Sequence, residues 1–501
     1  MPGTLGPNAR GVAVAAETRE RAVVEAVPKQ LLIGGRWVDG ATGSAFPVED
    51  PATRETIAEV ADATPDDARA ALAAAHEKQP EWGQHPPRER GEILRGAYEL
   101  MMERVEDLAL LMTLEMGKSV AESKTEVSYA AEFFRWFAEQ AVRIDGRFQV
   151  APTGQGRLLV TKQPVGPSYL ITPWNFPAAM ATRKIGPAVA AGCTMVLKPA
   201  GLTPLSALAV AQILAEAGLP GGVLNVITSS SSAAVSQPII SDFRLRKLSF
   251  TGSTEVGRKL MEQAAEQILR VSMELGGNAP FLVLDDADLD AAIEGALIAK
   301  MRNIGEACTA ANRFYVADSL ADGFAQRLAE RMGSLKVARG TEEDVDVGPL
   351  VNEDQLSKVE ELVQDALQKG AKKLTGGERL EGPGYFYAPT VLTDVPDDAR
   401  LLREEIFGPV APVRRISSDE EALAQANDTE FGLVAYLYTR DIGRATRMME
   451  GLEYGMVGLN QGMVSNPAAP FGGIKHSGVG REGGYEGIQE YLETKYCAAS
   501  L

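Results

Sequence analysis

The spacing of apolar and polar positions changes along the chain and separates regions of different predicted structure. A Gly-Gly turn within residues 31–37 predicts a hairpin at the start of the globular part. Helical periodicity follows, with a helix that opens at Pro65 and long amphipathic stretches over residues 87–112 and 120–144. These patterns predict that helices dominate the region before residue 145.

From Val160 onward, short apolar runs alternate with helical patterns. The runs predict strands at residues 168–172, 194–198, 223–228 and 247–250. The patterns between and after them predict helices at residues 177–191, 204–217 and 254–267, and a second strand–helix series covers residues 281–458. Continuous apolar strands that alternate with helices are typical of parallel βαβ units, so we expect an α/β fold with a doubly wound sheet.

Length, charge and cysteine content narrow the class of protein. A chain of 501 residues is expected to form two or three domains. Its net charge of −18 disfavours a nucleic acid or an anionic membrane as partner. The longest apolar stretch, residues 186–197, is too short for a transmembrane helix, which needs about 20 residues. Three cysteines in so long a chain favour a reducing, cytoplasmic compartment.

Two glycine-rich segments are candidate dinucleotide sites. Residues 478–483, GVGREG, match the dinucleotide fingerprint by letter, but no strand pattern precedes them and too little chain follows for a βαβ unit, so we interpret them as a turn. Gly252 and Ser253 follow a predicted strand and open a predicted helix, where backbone N–H groups attract phosphate. Lys198 ends another predicted strand and could hold a ribose or a phosphate, or be a solvated lysine.

A thiol and a carboxylate are the candidate catalytic groups. Cys308 lies in the glycine-containing segment NIGEACT, and Glu274 precedes it in MELGGN. A thiolate is a strong nucleophile, and a carboxylate within reach could activate water, so the pair predicts covalent catalysis through a thioester if the fold brings them together. A lone cysteine is more often structural, and a cysteine hydrolase would need a histidine activator. The three histidines are scattered, which predicts neither a metal site nor a Ser-His-Asp triad.

Six segments in order give the chain a resemblance to the aldehyde dehydrogenase superfamily, and most of all to succinate-semialdehyde dehydrogenases. They are PWNFP at 173–177, KP at 198–199, FTGS at 250–253, ELGG at 274–277, GEAC at 305–308 and EIFGP at 405–409. The similarity runs from about Leu32 to the C-terminus. It implies a Rossmann-type cofactor domain, an α/β catalytic domain and a small β oligomerisation flap.

The resemblance also implies a role for each matching residue. Cys308 is the expected nucleophile, Glu274 the general base, and Asn175 an oxyanion donor beside the backbone N–H of Cys308. The residues expected to bind NADP or NAD are Trp174, Lys198, Gly201, Gly252, Ser253, Glu405 and Phe407. Arg183 and Arg302 match two arginines that grip a substrate carboxylate, and Ser465 a serine that helps them; two guanidinium groups facing one cavity suit a carboxylate.

Domain limits and assembly follow from the same resemblance. It implies an N-terminal extension over residues 1–29, which we expect to be disordered or loosely attached. It implies a dinucleotide-binding domain over residues 30–145 and 163–275, and a catalytic domain over residues 276–475. Residues 146–162 and 482–501 would form bridging segments that join a homodimer or a homotetramer.

Three positions depart from the family pattern. Gly201 stands where NAD-preferring relatives carry a glutamate, which predicts that NADP is used. Glu306 stands where glutamine is usual, and its charge either raises the pKa of Cys308 or points away. Ala310 replaces a second cysteine, so no disulfide with Cys308 can form there and mild oxidation should act through sulfenic acid or a small-thiol adduct. Glutarate semialdehyde, an aromatic aldehyde, or a non-catalytic protein on the same fold remain alternatives.

Overall fold

The N-terminal segment is more ordered than the sequence predicts. The computed structural model describes residues 7–499, with side chains from residue 16 onward. Pro7–Glu25 form a helix that packs against the helix Val105–Met116, and Val23 and Val24 are buried. The expectation of a disordered or loosely attached extension is therefore wrong for residues 16–25, where the apolar side chains of Val23 and Val24 are buried.

The helices are numbered in chain order. They are α1 Pro7–Glu25, α2 Pro65–Gly83, α3 Pro87–Glu103, α4 Val105–Met116, α5 Val120–Gln140, α6 Pro177–Ala191, α7 Pro204–Glu216, α8 Ser232–Ile240, α9 Thr254–Glu266, α10 Leu289–Met301, α11 Asp318–Gly333, α12 Glu353–Gln368, α13 Asp419–Asn427, α14 Ile442–Gly451 and α15 Gly484–Gln489. Short 3₁₀ helices cover Arg302–Gly305, Arg400–Leu402 and Lys475–Ser477. Among the described residues, no helix has the length and apolar character that crossing a membrane requires.

The strands are numbered in the same way. They are β1 Leu31–Ile33, β2 Arg36–Val38, β3 Ala45–Asp50, β4 Glu55–Ala61, β5 Arg147–Val150, β6 Arg157–Pro164, β7 Ser168–Ile171, β8 Met195–Lys198, β9 Leu224–Val226, β10 Lys247–Thr251, β11 Arg270–Glu274, β12 Ala279–Val283, β13 Ala311–Ala317, β14 Lys372–Thr375, β15 Thr390–Thr393, β16 Val410–Ile416, β17 Val434–Tyr438, β18 Met456–Leu459, β19 Gly478–Val479 and β20 Leu492–Ala499.

Eight strands form the first large sheet, in the order β19-β11-β10-β7-β8-β9-β1-β2. Strands β11, β10, β7, β8 and β9 are parallel, and their connecting helices cover both faces. Every residue of β7, β8, β9 and β10 is buried, as continuous apolar strands in a parallel sheet require. The predicted α/β doubly wound fold is confirmed.

Seven strands form the second large sheet, in the order β14-β15-β16-β13-β12-β17-β18. All neighbours are parallel except the edge pair of β14 and β15. A third, antiparallel sheet has the order β20-β6-β5 and brings the segment near residue 150 beside the C-terminus. The chain between β11 and β12 connects the two large sheets, and the candidate site lies at this junction.

Candidate active site

A cavity of about 210 Å³ lies where the carboxyl ends of β7, β10 and β11 face the second large sheet. Ligands in open α/β sheets bind at such strand ends. Seven of the predicted site residues line this cavity: Trp174, Asn175, Gly252, Ser253, Cys308, Glu405 and Phe407. Residues that are far apart in the sequence therefore meet around the thiol of Cys308.

The segment before Cys308 has an unusual backbone. Asn303 and Ile304 have φ values of 56° and 62°, and each such residue costs about 1–3 kcal/mol. Gly305 follows with φ 78°, and a Cβ there would lie only 2.3 Å from the carbonyl oxygen of Gly408. The N–H of Asn303 donates to the Glu122 carboxylate over 2.6 Å. Contacts outside the segment thus hold it in the conformation that presents Cys308 to the cavity.

The Cys308 thiol is protonated at neutral pH in this arrangement. Burial raises the pKa of this thiol to about 12, and the charges of Glu405 and Glu274 act in the same direction. The guanidinium groups of Arg183 and Arg302 lower that pKa. The two predicted carboxylate-binding arginines are therefore close enough to Cys308 to affect its charge state.

Asn175 is fixed from two sides. Its main-chain oxygen accepts hydrogen bonds from Nζ of Lys118 over 2.9 Å and from Nδ2 of Asn303 over 3.0 Å. Its own Nδ2 donates to the Glu306 carbonyl oxygen over 2.9 Å. An amide nitrogen carries two N–H groups, so one remains for an oxygen near Cys308.

Glu274 ends β11 but does not line the cavity that contains Cys308. Its side chain is buried, and its Oε2 has no hydrogen-bond partner in the part of the chain that the structure describes. Burial raises the pKa of Glu274 well above its usual value, and the neighbouring charge of Glu482 raises it further; Arg183, Lys184 and Arg481 act in the opposite direction. Burial and Glu482 thus favour the neutral carboxyl form of Glu274, and the three cations favour its carboxylate form.

The structure brings two of the three predicted substrate residues into contact. Nη1 of Arg302 donates to Oγ of Ser465 over 3.3 Å, and the Arg302 guanidinium lies 4.8 Å from the Phe176 ring centre. Arg183 is fully buried, and its guanidinium lies 4.1 Å from the Phe471 ring centre. Neither Nε nor Nη1 of Arg183 makes a hydrogen bond to any described residue, so this cation has unused donors.

Two predicted cofactor residues, Lys198 and Gly201, do not line this cavity, and Gly201 lines a different pocket. Lys198 is buried, and within the described residues its Nζ donates only to the Pro199 carbonyl oxygen, over 3.1 Å. Burial lowers the pKa of Lys198 to about 8. A Cβ on Gly201 would lie 3.4 Å from the Ser229 carbonyl oxygen, an ordinary contact distance. Ser253 caps the N-terminus of α9, where unpaired backbone N–H groups can hold phosphate.

Comparison with known proteins agrees with this architecture. The model of the aldehyde dehydrogenase family matches residues 37–497. The chain belongs to the aldehyde dehydrogenase family. A succinate-semialdehyde dehydrogenase of Paenarthrobacter nicotinovorans is 58% identical over 88% of this chain and 98% of its own length. A succinate-semialdehyde dehydrogenase [NADP(+)] of Escherichia coli K12 is 53% identical over 94% of this chain and 98% of its own length. A glutarate-semialdehyde dehydrogenase of Pseudomonas putida is 51% identical over 94% of this chain and 98% of its own length.

Solved structures show the same fold. An NADP-dependent enzyme of E. coli superposes with a TM-score of 0.94 at 53% identity, over 95% of this chain and 98% of that one. A betaine aldehyde dehydrogenase of Staphylococcus aureus in complex with NAD⁺ superposes with a TM-score of 0.94 at 33% identity, over 97% of both chains. The aldehyde dehydrogenase fold expected from the resemblance is confirmed.

Several residues of this aldehyde dehydrogenase site were not predicted from the sequence. Gln355 and Lys358, both on α12, line the cavity, and Nε2 of Gln355 donates to the Phe407 carbonyl oxygen over 2.7 Å. Lys184 and Glu482 form a buried ion pair beside Glu274. No local pattern marks the α12 residues. Glu482 lies within the GVGREGG segment, whose first two residues pair with β11 as strand β19 and are not only the predicted turn.

Proposed function

We propose that this protein oxidises a carboxylated aldehyde, with succinate semialdehyde as the preferred substrate, to the carboxylic acid. The observation that carries the proposal is the pair of cations next to the nucleophile. Arg183 is buried, its Nε and Nη1 make no hydrogen bond within the described residues, and Arg302 is oriented by Ser465. A buried guanidinium with free donors is stabilised by an anion of planar, forked geometry, which a carboxylate has. The names of the two relatives at 58% and 53% identity agree with this substrate.

The first chemical step needs a nucleophile and a place for negative charge. The sulfur of Cys308 bonds to the aldehyde carbon, the carbon–oxygen π bond breaks to leave an oxyanion, and the thiol proton passes to solvent water. The free N–H of Asn175 and the backbone N–H of Cys308 are the donors that we assign to this oxygen. Loss of one such donor typically raises the barrier by about 3 kcal/mol.

The residues around the cavity fit a nicotinamide dinucleotide. Lys198 has no carboxylate partner and can bind ribose hydroxyls or a phosphate, while the α9 N-terminus at Ser253 suits the pyrophosphate. Glu405 lines the cavity beside Trp174 and Phe407, at the end where the ribose and ring would lie. When bound, NADP or NAD supplies the oxidising capacity by accepting a hydride.

Hydrolysis of the resulting cysteine thioester needs an activated water. We assign this role to Glu274, which must be in its carboxylate form to accept a proton. The cations Arg183, Lys184 and Arg481 favour that form, and burial and Glu482 oppose it. The protonation of Glu274 therefore depends on how these neighbours are paired.

Steady-state kinetics with three aldehydes test the proposal. We expect the highest kcat/KM with succinate semialdehyde, a lower value with glutarate semialdehyde and a much lower value with butanal, which has the same carbon chain length as succinate semialdehyde but no charge. Cys308→Ala is the control and should abolish turnover. Equal efficiency with butanal would contradict the role of the two arginines. A preference for glutarate semialdehyde would favour the alternative indicated by the relative at 51% identity.

The domain limits, the subunit assembly and the cellular location are part of the same proposal. We assign residues 30–145 and 163–275 to the cofactor domain and residues 276–475 to the catalytic domain. We assign residues 146–162 and 482–501, which include most of the β20-β6-β5 sheet, to the assembly of a homodimer or a homotetramer. Free Cys193, Cys308 and Cys497 support a reducing, cytoplasmic location.

A further inference from the structure

Glu482 is a buried carboxylate that faces two adjacent cations of α6. Its Oε1 accepts a hydrogen bond from Nζ of Lys184, which also donates to Oγ of Ser249 over 2.9 Å. Its Oε2 lies 3.4 Å from Nε of Arg183, with both side chains almost fully buried. This second contact does not have hydrogen-bond geometry, and Oε2 has no other partner.

Arg183 is therefore only partly neutralised. Its Nη2 contacts the sulfur of Met180 at 3.3 Å, and its Nε and Nη1 make no hydrogen bond. The aromatic rings of Phe133 and Phe471 flank the guanidinium, at 5.5 and 4.1 Å. A buried cation in such surroundings requires an anion, and Glu482 supplies a nearby negative charge without forming a hydrogen bond to Nε of Arg183.

We propose that Glu482 is the internal counter-ion of Arg183 and competes with the substrate's carboxylate for it, which makes Glu482 a specificity-determining residue. The inference rests on the proposed function, because it requires a carboxylate on the aldehyde. Glu482 stabilises Arg183 when no substrate is bound. A substrate carboxylate that reaches the free Nη1 brings a second negative charge close to Glu482, and this repulsion weakens binding of charged aldehydes only.

The test is the substrate preference of Glu482→Gln, measured with NADP at saturation. The amide keeps an oxygen for Lys184 but has no charge. We expect the ratio of kcat/KM for succinate semialdehyde to kcat/KM for butanal to rise by about threefold to tenfold, since tenfold corresponds to about 1.4 kcal/mol. An effect of the substitution on thioester hydrolysis does not enter this ratio, because kcat/KM reports only the steps up to the first irreversible one. An unchanged or lower ratio would overturn the proposal.

A matched control and a direct binding measurement complete the design. Glu490→Gln removes another carboxylate of the C-terminal segment, one that lies 3.8 Å from the buried Lys247, and should leave the ratio unchanged. Butyrate, a four-carbon carboxylate without an aldehyde, should bind Glu482→Gln with a lower Kd than it binds the wild-type enzyme. If Glu482→Gln does not fold, Glu482→Asp replaces it in the test. The shorter side chain withdraws the carboxylate from Arg183 but keeps its charge, and it should still alter the affinity for butyrate. An unchanged Kd in the variant that folds would refute the proposal.

The kinetics distinguish a failure of the proposed function from a failure of the role of Glu482. If the proposed function is wrong, the wild-type enzyme will show no preference for succinate semialdehyde over butanal. If only the role of Glu482 is wrong, the wild-type preference will be present and the variant will reproduce it.

Discussion

At the scale of single residues, Gly201 leads to a prediction about cofactor choice. It lies three residues after Lys198, and an added Cβ would contact the Ser229 carbonyl oxygen at 3.4 Å and the Phe46 ring at 3.6 Å. A glutamate at this position would bring a negative charge toward the site that we assign to the adenosine ribose. Like charges repel more strongly in partly buried surroundings than in water.

We therefore predict that Gly201→Glu lowers kcat/KM with NADP by about tenfold or more and leaves NAD efficiency within about threefold. Gly201→Gln has nearly the same size without the charge and is the matched control. Initial rates with both cofactors at fixed succinate semialdehyde measure the effect. Equal losses in the two variants would show that size, not charge, is responsible, and a wild-type preference for NAD of tenfold or more would contradict the prediction of NADP use.

The sequence leaves open whether the charge of Glu306 raises the pKa of Cys308 or points away from it, and the hydrogen bonds of Glu306 favour the second alternative. Its carboxylate points away from Cys308, and its Oε1 accepts the N–H of Val351 over 3.1 Å. Its main-chain oxygen accepts hydrogen bonds from Nδ2 of Asn175 and of Asn303. The residue thus connects the nucleophile segment with the loop that precedes α12. Neither contact is visible from the sequence, because each partner is brought in by the fold.

Burial raises the pKa of Glu306 well above its usual value of 4.5, and neither the hydrogen bond from the Val351 N–H nor the charge of Lys118 offsets this effect. Folding therefore favours the protonated carboxyl group, so the contribution of Glu306 to stability falls as the pH rises above 4.5. We predict that Glu306→Gln is more stable than the wild type at pH 8, with a gain that shrinks toward pH 5. Urea unfolding at several pH values measures it, and a gain that does not vary with pH would refute the assignment.

At the scale of elements, two helices begin next to carboxylates from other helices. The N-cap residues of α6 and α7, Phe176 and Thr203, make no side-chain cap. Glu126 of α5 accepts the N–H groups of Ala178 and Ala179 at the start of α6, and Glu115 of α4 accepts those of Leu205 and Ser206 at the start of α7. A carboxylate at a helix N-terminus satisfies unpaired N–H groups and complements the helix dipole.

The two caps differ in one contact. Glu126 also binds Nζ of Lys118, and Lys118 holds the main-chain oxygen of Asn175. We predict that Glu126→Gln and Glu115→Gln both destabilise the fold, by about 3–5 kcal/mol for Glu126, which leaves Lys118 buried without its counter-ion, and by less for Glu115. Only Glu126→Gln should lower kcat/KM, by about tenfold or more, because the oxyanion donor shifts. Urea unfolding and initial rates give both values, and an equal loss of kcat/KM in the Glu115 variant would contradict the link through Lys118.

The sequence predicts an element well when nearby residues determine it, and poorly when contacts between residues distant in the sequence determine it. Helix α6 was predicted with the correct ends, because Pro177 and Gly192 mark them locally. The stretch 87–112 is instead two helices, which break at Arg104; both pack against α5, so the apolar period continues across the break. Seven of the predicted site residues meet in one cavity. The GVGREGG segment lies next to the site because its first two residues pair with β11 and its Glu482 forms a buried ion pair with Lys184, and neither contact is visible in the sequence.

At the scale of the molecule, a few polar contacts join parts that are distant in sequence. Arg339 donates to Oε2 of Glu20 on α1 over 2.9 Å and to Oδ2 of Asp50 on β3 over 2.8 Å. The adjacent Gly340 accepts the N–H of Val120, next to the turn that carries Lys118. The N-terminal helix, the β3-β4 hairpin and the Lys118 region are therefore held by one short loop of the second half of the chain.

The β20-β6-β5 sheet is the surface that we expect to join subunits. Phe148 and Val150 on β5, Leu159 on β6 and Tyr496 on β20 are exposed, and large apolar side chains concentrated on one small sheet are typical of an interface. We predict that the wild-type protein is a dimer or a tetramer, and that Phe148→Asp shifts it toward smaller species by placing a charge within the contact. Light scattering after size exclusion, over a range of protein concentrations, measures the mass.

The control for this variant is Phe243→Asp. Phe243 is 76% exposed against 63% for Phe148, but it lies between α8 and β10, outside the sheet. Since the two substitutions are chemically the same, a general effect of added charge on solubility or stability would appear in both. The interface predicts a change of mass in the Phe148 variant alone. A monomeric wild type, or the same mass in both variants and the wild type, would exclude β5 from the assembly. The C-terminal strand β20 pairs with β6 and not with β5, so it forms the other edge of the sheet. A Tyr496→Asp variant would then test whether that edge carries the contact.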